Sequence, residues 1–246
     1  MQQASIAYSI SNAVAGAEGA CDFIRQFTHV LGAPSSPDDG HAEEEIEAAE
    51  KRIGRRLPAV LRTVYSAIGR RKDLVACQDP LIPPSMLRLD DDGSVLIFRA
   101  ENQGCGDFGF DWDHGDGDPM AMFRPDVADP DLYKWTAWHP RLSLACIEML
   151  LSESWHGSPP QLKVHQSTSP DNIARIIDAY AKIPELDSPL SPQTTWFASD
   201  DLYVQVAITD PMEHEDPWSG PAPALAHIRA RLRTEEAALE LARMLT

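Results

Sequence analysis

The sequence lacks any run of about 18 apolar residues, the length that a membrane-spanning helix requires. The first residues also lack the basic segment that opens a signal peptide, so we expect none. Cysteine is scarce, and the four cysteines are far apart and form no Cys-x-x-Cys pair: Cys21, Cys77, Cys105 and Cys146. A disulfide framework or zinc ribbon is therefore not expected, and reduced thiols in a cytoplasm are the simplest interpretation.

Positive charge is also scarce. The chain has 21 Lys and Arg against 38 Asp and Glu, which gives a net charge of −17. Such a charge repels nucleic-acid phosphates and anionic membranes and attracts basic partners. A second interpretation is that the surplus carboxylates only keep the protein in solution. The few cations are concentrated between Lys51 and Lys72, which forms a local basic stripe.

Hydrophobic spacing predicts one broken helix or two consecutive helices before Gly32. A further helix should begin near Ala42, with Glu43, Glu44 and Glu45 at its positive dipole end. Gly54 is expected to stop that helix, and Pro58 suits the first turn of the next one.

Short segments separated by turns then predict strands at 86–89, 95–100, 107–112 and 120–124, with a further strand possible within 132–138. Such closely spaced strands indicate an antiparallel meander, followed by a helix that Pro140 opens. Phe108, Phe110 and Trp112 share one face of their strand at a period of two.

The composition changes after Trp155, because 10 of the 20 prolines lie between His156 and Pro223. Here the sequence predicts a helix capped by Ser169, a hairpin over Thr194–Ile208, and a terminal helix over Ala224–Leu245. The expected fold class is α+β, an antiparallel meander sheet flanked by helices with additional N-terminal helices and a C-terminal α+β extension. The predicted divisions are residues 1–32, 42–155 and 156–246.

Apparent motifs for catalysis or cofactor binding lack the sequence context or spacing that these functions require. Residues 104–109 spell the dinucleotide fingerprint Gly-x-Gly-x-x-Gly, but the pattern around them is that of a hairpin and not of a strand that leads into a helix. The aspartates at 111–118 lack the spacing of a calcium loop. Cys105 has acidic neighbours, which oppose a reactive thiolate. No cofactor or metal is expected, and an enzyme acting through paired carboxylates is the least favoured hypothesis.

Residues Glu43–Leu151 resemble the SUKH superfamily, small α+β domains that include a fungal cell-wall regulator and many bacterial toxin-immunity proteins. The resemblance is carried by the acidic helix start, by Leu57-Pro58 leading to Tyr65, by the strand Val95–Ala100 and by the hairpin Gly104–Trp112. It continues through Asp118-Pro119 and the helix after Pro140. It implies a non-enzymatic binding module.

In bacteria, the resemblance implies an antidote that binds and blocks a toxic enzyme, often a basic nuclease. A regulatory scaffold that recruits several partners is the alternative. The expected contact surface consists of acidic turns at one or both ends of the sheet, with Trp218 as an exposed anchor. Its residues are Asp90, Asp91, Asp92, Glu101, Asp111, Asp113, Asp116, Asp118 and Trp218. Because Asp also suits turns for conformational reasons, these carboxylates have a purely structural explanation too.

Overall fold

The computed structural model describes residues 5–112, 117–209 and 225–245. These residues form an α+β structure with two antiparallel sheets of five strands each, which confirms the predicted fold class. The chain divides into two compact units. Ser11–Gly157 is called the meander unit below, and Met1–Ile10 with Ser158–Thr246 is called the terminal unit. Within the described ranges, no helix is long and apolar enough to cross a membrane.

Five helices precede the first sheet. They are α1 (Ile6–Val14), α2 (Ala17–Val30), α3 (Glu43–Ile53), α4 (Ala59–Ile68) and the short α5 (Lys72–Val75). The two consecutive helices predicted before Gly32 are therefore confirmed. Gly54 ends α3 with φ of 86°, a left-handed conformation that glycine adopts without steric cost. At the other end of α3, the Glu45 carboxylate accepts a hydrogen bond from the Ala42 amide at 2.9 Å.

The first sheet is the predicted meander. Its strands are β1 (Arg88–Leu89), β2 (Val95–Ala100), β3 (Gly106–Asp111), β4 (Ala121–Pro125) and β5 (Thr136–His139), and each pairs with the next in chain order. Because successive strands reverse direction, the connections fall at opposite ends of the sheet. The first sheet end carries the turn 90–94, Trp112 and residues 117–120, and the second sheet end carries the turn 101–105 and the loop 126–135.

A β-bulge in β2 shapes the core of the meander unit. The pairing of β2 with β3 shifts between Ile97 and Arg99, so the regular alternation of side chains is interrupted there. As a result Phe98 and Arg99 are both buried, and the Arg99 guanidinium lies 5.0 Å from the centre of the Phe108 ring. The helix predicted after Pro140 is α6 (Leu142–His156), which is buried except at Glu148, Ser152 and His156.

The Glu153 carboxylate of α6 is fully buried and satisfied from several directions. One oxygen accepts the amides of Cys77 at 2.6 Å and Gln78 at 2.7 Å. The other accepts the amide of Asp79 at 2.9 Å and the Arg99 guanidinium at 2.7 Å. A buried charge is tolerated only when it is paired and hydrogen-bonded in this way. Glu153 therefore joins α6 to β2 and to the irregular segment before β1.

The terminal unit contains the second sheet. Its elements in chain order are β6 (Lys163–Thr168), α7 (Pro170–Ala179), β7 (Ala181–Lys182), β8 (Thr194–Ala198), β9 (Leu202–Thr209), β10 (Leu225–Leu232) and α8 (Glu235–Met244). The strand order is β6-β10-β9-β8-β7, all antiparallel. The predicted hairpin over Thr194–Ile208 is confirmed as β8 and β9.

The predicted terminal helix over Ala224–Leu245 is wrong in its first part, because Leu225–Leu232 is the strand β10. The spacing of Leu225, Ile228 and Leu232 is compatible with a helix, but the buried residues alternate. Every second residue from Ala226 to Leu232 is buried and belongs to the core that includes residues of α7 and α8. The helix is confined to α8, where the Thr234 hydroxyl caps the first turn by accepting the Ala237 amide at 3.2 Å.

Replacing Glu153 by alanine should lower the free energy of unfolding by about 3–5 kcal/mol, because the buried Arg99 would lose its nearest carboxylate and three amides would lose their acceptor. Urea denaturation followed by tryptophan fluorescence measures this loss. The control is Glu47→Ala on the exposed face of α3, for which we expect a change within about 0.5 kcal/mol. Equal stability of the two variants would show that the buried pair does not hold the unit together.

Candidate partner-binding site

Asp90, at the first sheet end, is a structural residue of its turn. One carboxylate oxygen accepts the amides of Ser94 and Val95, both at 3.0 Å. The other accepts the indole N–H of Trp135, also at 3.0 Å. These bonds satisfy donors that the turn would otherwise leave unpaired, so Asp90 is committed to holding the turn and the Trp135 ring.

Asp118 and Glu101 are likewise engaged within the fold. The Asp118 carboxylate accepts the Ser143 amide at 2.7 Å and the Ser143 hydroxyl at 2.6 Å, and so caps the first turn of α6 from outside the helix. The Glu101 carboxylate accepts the amides of Gln103 at 2.8 Å and Cys105 at 2.9 Å, which closes the β2–β3 turn. That turn includes Gly104 with φ of 75°, and β3 follows it, so the predicted hairpin is confirmed.

The remaining predicted contact residues differ in exposure. Asp91 and Asp92 are exposed at the tip of their turn, whereas Asp111 is half-buried at the end of β3. The structure thus brings Asp90, Asp91, Asp92, Asp111 and Asp118 to the first sheet end and places Glu101 at the second. Asp113, Asp116 and Trp218 lie outside the described residues.

A groove lies beside the first sheet end. Trp112 forms part of it and stacks on Phe110 with the ring centres 5.3 Å apart. The Arg55 guanidinium lies 5.8 Å from the Trp112 ring centre, within the range of a cation–π contact. The described lining also includes Arg56, Leu57, Pro58, Ala59, Gly117 and Pro119. This lining combines apolar side chains with the cationic side chain of Arg56.

The basic stripe predicted between Lys51 and Lys72 is largely used inside the meander unit. Arg52 donates to the carbonyl oxygens of Leu87 at 2.8 Å and Pro84 at 3.0 Å. Ion pairs of the stripe include those of Arg62 with Glu50 and Glu43, of Arg70 with Glu45, and of Arg71 with Asp39 and Asp73. The hydrogen bond from Arg70 is the main cause that lowers the pKa of Glu45 to about 2. These arginines of the stripe therefore connect helices and turns of the meander unit through hydrogen bonds and ion pairs.

The loop 126–135 at the second sheet end was not among the predicted contact residues, yet it exposes three large apolar side chains. Val127 is 40% exposed, Leu132 57% and Tyr133 41%. Three carboxylates of the loop are exposed between and beside them, those of Asp126, Asp129 and Asp131. The mixture of apolar and acidic residues over positions 126–133 was the available sequence signal, because a loop does not need Val, Leu and Tyr for its conformation.

Groups with possible chemical roles are dispersed. Cys77 and Cys105 are exposed, while Cys21 and Cys146 are buried. Burial raises the pKa of the Cys146 thiol far above its ordinary value, so it remains a neutral core residue. Over the residues with described positions, no group of three His, Cys, Asp or Glu side chains could hold a metal ion.

No protein-family model, curated protein or solved structure matches this chain.

Replacing Asp90 by alanine should lower the free energy of unfolding by about 1–3 kcal/mol, because two amides and one indole N–H lose their acceptor. The matched control is Asp92→Ala in the same turn, which should stay within about 0.5 kcal/mol of the parent protein. Thermal or urea unfolding gives both values. If Asp92→Ala were as destabilising as Asp90→Ala, the assignment of Asp90 as the structural carboxylate would be wrong.

His139 should make stability depend on pH. It is fully buried in β5, neither ring nitrogen has a hydrogen-bond partner among the described residues, and burial lowers its pKa from 6.5 to about 4. Between these values the unfolded chain binds a proton that the folded chain excludes. The free energy of unfolding should therefore fall as the pH drops from about 6.5 to about 4, by up to about 1.4 kcal/mol per pH unit.

Urea denaturation of the parent protein and of His139→Leu across this pH range tests the effect. The substitution removes the titration, so the variant should lose about 3 kcal/mol less than the parent as the pH falls. Parallel pH profiles of the two proteins would contradict the prediction.

Proposed function

We propose that this protein is an immunity-type antidote of the SUKH kind, which binds a basic bacterial toxin such as a nuclease and blocks it by occlusion. The observation that carries the proposal is the distribution of charge. The chain has 17 more acidic than basic residues, and several of its arginines form ion pairs with carboxylates of the fold. Arginines with ion-pair partners include Arg62, Arg70, Arg71, Arg88, Arg99, Arg124 and Arg233.

The excess of acidic residues leaves many carboxylates outside these ion pairs. Exposed carboxylates of the meander unit include Glu44, Glu47, Asp91, Asp92, Asp126, Asp129 and Asp131. A protein with this exterior attracts a basic surface over a distance of about 10 Å at moderate salt. A nuclease must present such a surface in order to bind phosphates. Carboxylates of the antidote would then occupy the positions that substrate phosphates require.

The structural carboxylates also support this function. Asp90 and Glu101 fix the turns of the meander from within, so the neighbouring acidic residues are held on well-defined backbone. A surface that is ordered before it meets its partner loses less conformational entropy on binding. Occlusion requires no catalytic group, only a stable complex that covers the active site of the toxin.

Co-expression with the product of the adjacent gene tests the proposal. We expect that gene to encode a toxin domain that arrests growth alone, and expect this chain to restore growth and to co-purify with the toxin. Capture of several unrelated proteins without a toxin would instead favour a regulatory scaffold. Turnover of a small metabolite, abolished by changing one carboxylate or thiol, would overturn the proposal.

Association with the toxin should slow as salt rises, because screening removes the long-range attraction between the acidic exterior and a basic partner. Between about 20 mM and about 500 mM NaCl we expect the association rate constant to fall at least about tenfold. Stopped-flow fluorescence or surface plasmon resonance measures this rate. A rate constant that is independent of salt would exclude electrostatic steering.

A further inference from the structure

The loop 126–135 presents an apolar surface that the fold does not use. Val127, Leu132 and Tyr133 are 40%, 57% and 41% exposed, although they lie in one short loop. Single exposed apolar residues are ordinary, but a group of them within an acidic segment marks an interaction surface. Leu132 in particular leaves more than half of its surface in contact with solvent.

The loop is ordered by contacts at both of its ends. At the start, the Asp126 amide donates to the Cys105 carbonyl oxygen at 2.8 Å, which ties the loop to the turn that Glu101 closes. At the end, the indole of Trp135 donates to Asp90. In the middle, the amides of Leu132 and Tyr133 donate to the Asp129 carbonyl oxygen at 3.1 and 3.0 Å.

Arg124 packs against two aromatic rings of the loop. Its guanidinium lies 4.6 Å from the ring centre of Tyr133 and 4.8 Å from that of Trp135, and it pairs with Asp107 at 3.3 Å. The Tyr133 ring is therefore held in place while 41% of the residue stays exposed. An aromatic side chain that is already positioned is the kind of anchor that contributes most to protein interfaces.

The charge around these apolar residues is predominantly negative. Asp126, Asp129 and Asp131 are exposed on the loop, and the half-buried Glu101 lies in the neighbouring turn. The cations nearby in the chain are Lys134, which is exposed, and Arg124, which is engaged with Asp107 and the two rings. An apolar centre with an acidic rim fits a protein surface whose own apolar centre has a basic rim.

We infer that the loop 126–135, together with the turn 101–105, is the surface by which this protein binds a basic partner protein. The apolar centre of this surface consists of Leu132, Tyr133 and Val127. Its acidic rim consists of Asp126, Asp129 and Asp131. This inference rests on the proposed function and selects the second sheet end over the first. The rim accelerates encounter, and the apolar centre sets the lifetime of the complex.

Two double variants test the two parts of the surface against the toxin encoded by the adjacent gene. The apolar variant carries Val127→Ser and Leu132→Ser, which leave the ring of Tyr133 over Arg124. The charge variant carries Asp126→Lys and Asp131→Lys, and retains Asp129, whose carboxylate accepts the Asp131 amide at 3.0 Å. Circular dichroism and thermal unfolding verify that each variant is folded.

Matched controls lie at the first sheet end. Asp91→Lys with Asp92→Lys makes the same change in net charge, and Met120→Ser removes an apolar residue that is 38% exposed. We expect the apolar variant to raise the dissociation rate constant at least about tenfold. The charge variant should lower the association rate constant at low salt more than the Asp91/Asp92 control does, since the altered charges lie at the interface itself.

Hydrogen–deuterium exchange of the complex supplies a second measurement. The amides of 126–135 and 101–105 should gain protection when the toxin binds, and those of 90–94 should not. If the toxin binds the parent protein but the variants match their controls and 126–135 gains no protection, this surface assignment is overturned while the proposed function stands. If the parent protein does not bind the toxin at all, the proposed function fails and the assignment fails with it.

Discussion

The meander unit depends on one buried carboxylate. Glu153 connects α6, the segment 77–79 and the bulge of β2 through three amides and the guanidinium of Arg99. Two further carboxylates approach the same guanidinium, Asp79 at 3.5 Å and Glu148 at 3.7 Å. Burial raises the pKa of both, against the attraction of Arg99. Arg99 therefore contacts three acidic side chains. Through these contacts it holds the first sheet, α6 and the segment 77–79 together.

Acidic residues in this chain have two different roles. One group accepts hydrogen bonds from backbone amides and so stabilises turns and helix ends of the fold. It includes Asp90, Glu101, Asp118 and Glu153. Others, such as those of the loop 126–135, reach solvent and give the exterior its negative field. A count of carboxylates cannot separate these groups, because the same residue type that suits a turn also suits a basic partner. The function proposed above depends on the second group, held in place by the first.

Local sequence patterns predicted most of the helices and strands, but not all of the contacts that their side chains make. The break at Gly54, the meander and the hairpin at Thr194–Ile208 follow from turn residues and alternation, which act over a few positions. Strand β10 was missed because alanines at 226 and 230 and the buried Arg231 weaken its alternation, while its leucines imitate a helix. The contacts of Asp90 with Trp135 and of Asp118 with Ser143 join positions 45 and 25 residues apart, and no short-range pattern contains them.

The bulge at Phe98 has a consequence for how this chain tolerates insertions and deletions. Loss of one residue from the first half of β2 would restore a regular register with β3. Phe98 would then lie opposite Gly109 and its side chain would turn to the other face of the sheet, while Arg99 would stay opposite Phe108. Length changes in the tip of the 101–105 turn would leave that register intact. Divergent copies of this protein should therefore vary in loop length while conserving the number of residues between Val95 and Arg99.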